Sequence, residues 1–334
     1  MTEHLPARPE DDLLPLLPPA LAGLGRDGAT AFRDYFTAQI RNKNTRLAYG
    51  RAVWRFCAWL EENYGGVDLR NMQTIHVSEF IEWMDTRGSK SIDKAYAAPT
   101  VKQHLAAIRM LCGFLVVRQV LPINPALDVR GPKHVVTKGK TPHLTAEDAR
   151  ALFNSIDAGT VIGLRDRALL GLMVYSFARI GAALSMDVED YYQAGRRMMF
   201  RLNEKGGKEH TMPAHHTAIE YMDAYLARLG EREGPLFRSI NRNRDGYTER
   251  RLDRREALAM VKRRTRAAGL SSKDGKNNFS NHTFRATGIT AYLKNGGLLE
   301  HAQTMAAHSS PTTTRLYDHN KDEVTLDEVE RIIL

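Results

Sequence analysis

Cysteine is nearly absent from this 334-residue chain; the two present are Cys57 and Cys112. Both stand in apolar helical patterns, so they read as reduced core residues of a cytosolic protein, and a disulfide scaffold is excluded. Long hydrophobic runs are missing too. No stretch approaches eighteen uninterrupted apolar residues, which leaves no candidate for a membrane span. The opening stretch, MTEHLPARPEDD, is acidic and interrupted by proline, unlike a signal peptide. Metal-ligand spacing is lacking as well. His210, His215 and His216 lie close in sequence, but adjacent side chains on a strand point apart, and no Cys, Asp or Glu partner stands at ligand spacing. Neither a metal nor another cofactor is expected. Acids are the minority charge: 39 Asp and Glu face 48 Lys and Arg, for a net charge of +9 and a pI near 9.5. That balance favours a polyanionic partner.

Hydrophobic residues make up 43% of the chain and charged ones 26%, which suits an ordinary globular protein, and the length suggests two domains. Residues 1–27 hold five of the thirteen prolines (Pro6, Pro9, Pro15, Pro18 and Pro19) and read as a flexible tail. Residues 28–128 read as four or five helices without a strand. Asn44 is placed to cap a long one carrying Leu47, Trp54, Cys57, Leu60 and Tyr64; a shorter one carries Val77, Phe80, Ile81 and Met84. Thr100 is placed to cap a third, with Val101, Leu105, Ile108, Leu111 and Leu115 on one face, and Asn124-Pro125 closes the unit. Exposed cations are expected at Arg41, Lys43, Arg46, Arg51, Lys90, Lys94 and Lys102. Residues 129–142 read as a basic linker with Arg130, Lys133, Lys138 and Lys140 and no acid. Contacts from Arg41, Lys43, Lys102 and these four would be phosphate contacts, blind to sequence and sensitive to salt.

A second domain, 143–334, opens with a Thr145-x-x-Asp148 cap. An apolar helix follows and leads to Arg179, where burial would be costly unless an anion meets the guanidinium. Residues 197–202 and 210–213 alternate like short strands, with Lys205 in the Gly-rich turn between them. Helices are expected at 214–229 and 248–268, and the run Lys262–Arg266 reads as a DNA-facing edge. A helix with a glycine stop at Gly296 carries His282 and Arg285, three apart and so on one face. Ser310-Pro311 reads as a cap and first helical position, placing Tyr317 on the second turn. Thr325-x-x-Glu328 caps a last helix whose apolar end, Ile332 to Leu334, should dock on its own domain or on a neighbouring subunit.

Arg179, Lys205, His282, Arg285, His308 and Tyr317 together suit attack on a phosphodiester. Two arginines can hold the non-bridging oxygens and stabilise the charge that grows there. His282 can accept the phenol proton, His308 can donate to a phosphate oxygen, and Lys205 can protonate the leaving sugar oxygen. Tyr317 can form the covalent bond. The arginines then fill the electrostatic role of a metal.

The segments RDRALLGLMVYSFARIGAALSMDVEDY, the Lys205 turn, HTFR and HSSPTTTRLYDH resemble the tyrosine recombinase (phage integrase) family, and 28–128 resembles its helical core-binding domain. The fold implied is mainly α with a small antiparallel β-sheet: an all-helical N-terminal domain plus a mixed α+β catalytic domain. The resemblance implies cleavage and rejoining of double-stranded DNA through a 3′-phosphotyrosine, a tetramer on two DNA sites and two domains clamping the duplex; with the reduced cysteines, a cytoplasmic enzyme is expected. Two departures stand out. The family usually has an acid three residues after the first arginine, here Ala182, and a glycine before the second histidine, here Ala307. Lys208 is an alternative to Lys205 as the general acid. A DNA-binding protein of this fold without chemistry, or a relaxing topoisomerase, are the competing readings.

Overall fold

The structure, a computed structural model, describes residues 25–65, 67, 69–86, 95–134, 139, 141–204, 207–270 and 277–318, with side chains from residue 30 onward. Lys90, Lys94, Lys138, Lys140, Lys205, the proline-rich tail to residue 24 and the terminal Thr325–Leu334 segment lie outside the described residues. Two units are distinguished, Met1–Val135 and Val136–Leu334, with the division inside the stretch read as a linker.

The first unit is helical throughout its described elements. Helix α1 (Gly25–Asp34) continues into a π-helical turn, Tyr35–Gln39; α2 (Lys43–Tyr64), α3 (Thr74–Thr86) and α4 (Ala98–Val117) follow. Asn42, not Asn44, caps α2: its carboxamide oxygen accepts from the backbone N–H of Asn44 at 3.0 Å and of Thr45 at 3.1 Å. Thr100 is likewise no cap, because α4 already starts behind Ala97 with Pro99 in its first turn. By length and composition α4 could cross a membrane, yet Val101, Leu105, Ile108, Leu111 and Leu115 are all buried in this unit's core. They meet Phe56, Trp59 and Leu60 of α2 and Phe80 of α3 in that core; each such ring contributes roughly 2–3 kcal/mol by leaving water. Asn124 ties the closing loop to α4, donating to the carbonyl of Arg109 and accepting from the Ala126 N–H, both at 3.0 Å. Cys57 and Cys112 are free and buried, and burial pushes both thiols up to about 12.

The second unit opens with α5 (Ala146–Asn154), capped by Thr145, whose hydroxyl accepts from the Asp148 N–H at 3.0 Å as the sequence indicates. Helix α6 (Val161–Tyr175) is buried along most of its length and packs against α8 (His216–Leu229) and α10 (Asn281–Lys294). Short α7 (Ile180–Ser185) leads into an antiparallel sheet in the order β1 (Tyr191–Ala194), β2 (Arg197–Glu204), β3 (Lys208–Pro213). Gly288 lets α10 press on α6, since a Cβ there would stand 2.0 Å from the Val174 carbonyl oxygen.

Two expectations change. Residues 248–251 are not helical: β5 (Tyr247–Arg251) pairs with β4 (Arg238–Ile240), and helix α9 (Arg254–Ala267) starts only after Asp253, which forms a capping box with Glu256. A charged run, Thr-Glu-Arg-Arg, carries no alternation that marks it as a strand. The Lys262–Arg266 run is not simply a DNA-facing edge either. Arg263 and Arg264 pair with the fully buried Asp166, and Lys262 donates to the Asn277 carbonyl. Helices α11 (Leu299–Met305) and α12 (Pro311–Arg315) complete the described chain.

Candidate active site

Residue types that rarely share a core converge where α7, β2, α10 and the α11–α12 connection meet. Arg285, on α10, has 2% of its surface exposed. An unpartnered buried guanidinium would cost several kcal/mol, and this one is well supplied. It donates to the carbonyls of Phe177 and Ala306, the latter at 2.5 Å, and to His308 Nε2 at 2.7 Å. Burial, then the nearby Arg179, pull its pKa down to about 10, while Glu204 and the nearby phenol of Tyr317 oppose the fall. It therefore remains a cation at neutral pH. Phe177 and Ala307 both adopt left-handed backbone, with φ of 55° and 46°. For residues with a Cβ that conformation costs about 1–2 kcal/mol.

Arg179 precedes α7 as its N-cap residue and is partly exposed. Its Nη1 is paired with Glu204 Oε2, and its backbone N–H points to Glu204 Oε1 at 3.4 Å. Glu204 ends β2 with its side chain 3% exposed, and its Oε1 lies 4.0 Å from Arg285 Nη1. One buried carboxylate thus serves both arginines. Glu204 was not singled out in the sequence. The signal was there: Phe200, Leu202 and Glu204 alternate onto the buried face of β2, and an acid in that series needs a partner.

His308 is buried, and both ring nitrogens are engaged. With Arg285 donating to Nε2, the ring proton belongs on Nδ1, which faces Thr314 Oγ1 at 2.8 Å. Burial, Arg285 and Arg179 lower its pKa to about 3, so the ring is neutral. The expected donation from His308 to a phosphate oxygen is not what this arrangement offers; the ring braces Arg285 instead. His282 sits one turn before Arg285 with an exposed side chain, and desolvation, Arg285, Arg179 and Arg254 lower its pKa. A neutral imidazole at the surface is competent to take a proton.

Ser310 caps α12, its hydroxyl accepting from the Thr312 N–H at 3.3 Å, with Pro311 in the first turn as the sequence indicates. Tyr317 lies just past that helix rather than on a second turn: its N–H reaches the Thr314 carbonyl at 3.0 Å. Its ring stacks on His308, centroids 6.1 Å apart and planes 7° from parallel, and packs against the apolar cluster of Phe177, Ile289 and Ala306. Thr290 Oγ1 donates to its carbonyl at 3.3 Å. Five of the six residues picked from the sequence therefore meet or border one another, and the sixth, Lys205, lies outside the described residues, directly after Glu204. Lys208, the alternative general acid, is exposed at the start of β3, with Glu204 as its register partner.

In the first unit Arg41, Lys43, Arg51 and Lys102 are exposed, as are Arg130 and Lys133 further on. Arg46 is partly buried, and its guanidinium hydrogen-bonds the Ile40 carbonyl at 3.0 and 3.2 Å. Among the described residues no group of three or more His, Cys, Asp or Glu stands close enough to hold a metal ion. His215 instead caps α8, accepting from the Thr217 N–H, and stacks on Tyr175.

Such a fold with such a site defines a tyrosine-type site-specific DNA recombinase. Comparison makes the assignment narrower: the chain belongs to the phage integrase family, whose profile matches residues 142–324, while the family's N-terminal SAM-like domain profile matches 30–119. The tyrosine recombinase XerD of Corynebacterium glutamicum is 30% identical over 294 residues, covering 86% of this chain and 90% of that protein. The crystal structure of the XerH recombinase bound to its difH substrate, a pre-cleavage complex, has the same fold, with a TM-score of 0.63 at 17% identity over 95% of this chain and 97% of that one. So has a lambda integrase tetramer bound to a Holliday junction, with a TM-score of 0.64 at 15% identity over 89% of this chain and 80% of that one.

Proposed function

We propose that this recombinase cuts one strand of double-stranded DNA by attack of the Tyr317 phenol oxygen on a backbone phosphorus. The new O–P bond forms as the bond to the 5′ oxygen breaks, leaving a 3′-phosphotyrosyl ester and a free 5′-hydroxyl. Arg285 and Arg179 stabilise the charge that grows on the non-bridging oxygens. His282 takes the phenol proton, and Lys205 gives one to the departing oxygen. The ester keeps the energy of the cleaved linkage, so a 5′-hydroxyl from a second duplex can reverse the step and exchange strands. His308 acts by holding Arg285.

The observation that carries this reading is the phenol ring of Tyr317 stacked on His308, whose Nε2 in turn accepts from the buried Arg285, within one chain. Residues 28–128 form the DNA-clamping domain, residues 129–142 a basic linker, and 143–334 the catalytic domain. Arg41, Lys43, Lys102, Arg130 and Lys133, together with Lys138 and Lys140, contact phosphates. Exchange between two sites calls for four subunits, as in the lambda integrase tetramer, and for an enzyme placed with DNA in the cytoplasm.

A duplex nicked close to the cleavage position tests the reading, because the cut strand end diffuses away and traps the ester. Wild-type protein is expected to form a covalent protein–DNA adduct, and Tyr317→Phe none. No adduct from the wild type leaves a DNA-binding protein without chemistry. An adduct without joining of strands from two different duplexes points to a relaxing topoisomerase.

A further inference from the structure

The carboxylate of Glu204 has no part in the scheme above, yet it lies at the centre of the site. It is nearly inaccessible to solvent, with its side chain 3% exposed. Burial of a lone carboxylate is unfavourable enough that the group must be matched by cations. Here the matching cations are the two guanidiniums assigned to the phosphate. Oε2 pairs with Arg179 Nη1, while Oε1 faces the Arg179 backbone N–H and lies 4.0 Å from Arg285 Nη1. No other carboxylate is seen with either arginine among the described residues. Ala182, three residues after Arg179 on α7, is buried in the apolar core and offers only a methyl group. Glu204 also closes the β2–β3 ladder opposite Lys208, and its carbonyl accepts from the Gly207 N–H at 3.2 Å. The residue that follows it in the chain is Lys205.

We propose that Glu204 is a positioning residue for strand cleavage: it holds Arg179 and Arg285 at a fixed separation for the scissile phosphate. Two guanidiniums brought this close repel each other. An anion behind them offsets the repulsion while Arg179 keeps part of its side chain open to an incoming phosphate. This inference rests on the cleavage chemistry proposed above.

The test uses the full chain and the nicked duplex, and follows DNA affinity separately from the single-turnover cleavage rate. Glu204→Gln keeps the shape and loses the charge. It is expected to bind DNA as tightly as the wild type or a few-fold tighter, because one negative charge has gone, and to cleave about 10–100-fold more slowly, because the arginines are no longer fixed. Combined with Arg179→Gln it is expected to be non-additive, the double variant cleaving little worse than Arg179→Gln alone. A merely structural role would give additive losses. Glu204→Asp, which keeps the charge one methylene further back, carries the same comparison if the Gln variant melts below the assay temperature; its expected loss is smaller.

Wild-type cleavage by Glu204→Gln, or additivity with Arg179→Gln, overturns the proposal. So does faster cleavage, which would mean that Glu204 occupies the arginines in competition with phosphate. All of these outcomes leave the tyrosine chemistry standing. Failure of the wild-type protein to form any adduct removes both.

Discussion

Among its described residues the second unit has two places where arginines surround a buried carboxylate, and they differ. At the first, Asp166 is wholly buried, and each of its oxygens accepts two hydrogen bonds. Arg165 donates to Oδ1 through Nε and Nη2 at 3.1 and 2.7 Å, while Arg263 and Arg264 donate to Oδ2 at 3.0 and 2.9 Å. Arg165 spends a further N–H on the Arg238 carbonyl at 3.2 Å. The acid is saturated, and the cluster ties α6 to α9 and β4. At the second place Glu204 serves two arginines, and Arg179 keeps 28% of its side chain exposed. A guanidinium has five donors, so what decides its use is how many remain after the protein has taken its share. The first cluster is a clamp. Exposure does not separate the two, since Arg263 of the first keeps 47% of its side chain exposed; the second differs in that its arginines lie beside His308 and Tyr317.

The sharpest way to break that contrast is to make one change at each place and read both stability and cleavage. Asp166→Asn leaves three guanidiniums around an uncharged group. It is expected to cost about 3 kcal/mol in a urea titration, with cleavage per folded molecule close to wild type. Arg179→Lys is expected to do the opposite: a melting temperature close to wild type and cleavage lower by about 100-fold or more, since an ammonium cannot reproduce two fixed donors. Matching patterns in the two variants would erase the distinction.

A smaller effect follows from pH. His308 is neutral in the folded protein with a pKa of about 3, whereas an unfolded histidine titrates near 6.5. Unfolding therefore takes up a proton between those values. The contribution is complete above about pH 6.5 and drains as pH falls, by up to about 1.4 kcal/mol per unit. His282, also lowered, adds in the same direction. Denaturant titrations at neutral pH and near pH 5 are expected to show this loss, and His308→Asn to flatten it. An equal slope in the variant would assign the acid sensitivity to carboxylates. The smallest expected effect is a gain. Ala307 holds a left-handed φ of 46° beside the site, so Ala307→Gly should raise stability by up to about 1 kcal/mol in the same titration. Loss of stability there would mean that the alanine methyl is packed rather than strained.

Much of the site is legible in the sequence because its groups fall on local signals. The Ser310-Pro311 start and the spacing of His282 from Arg285 need only neighbours three or four residues away. The Gly296 stop, φ 82°, is of the same kind. Those local signals fix element ends, and the family resemblance supplied the roles. What escaped depends on distance along the chain. Glu204 meets Arg179 across 25 positions, and Arg264 meets Asp166 across 98; neither pairing leaves a trace in a local window. Cap placement failed where two candidates stood side by side, as with Asn42 and Asn44. Strand β5 was hidden because its outward residues are arginine and glutamate, which suit a helix as well. His308 was expected to face a phosphate oxygen, whereas its ring nitrogens face Arg285 and Thr314; the direction of a ring is decided by the fold.

The His308 ring has one more consequence. One edge supports Arg285, and the other is bonded to Thr314, a single helical turn before Tyr317. On the cleavage scheme proposed above, the imidazole is a crossbar between the electrophile's cradle and the nucleophile's arm. A tug on the arm, as a strand is drawn in or an ester strains against its leash, is felt at the cradle through two hydrogen bonds. On that scheme the two bonds favour keeping attacker and clamp in register.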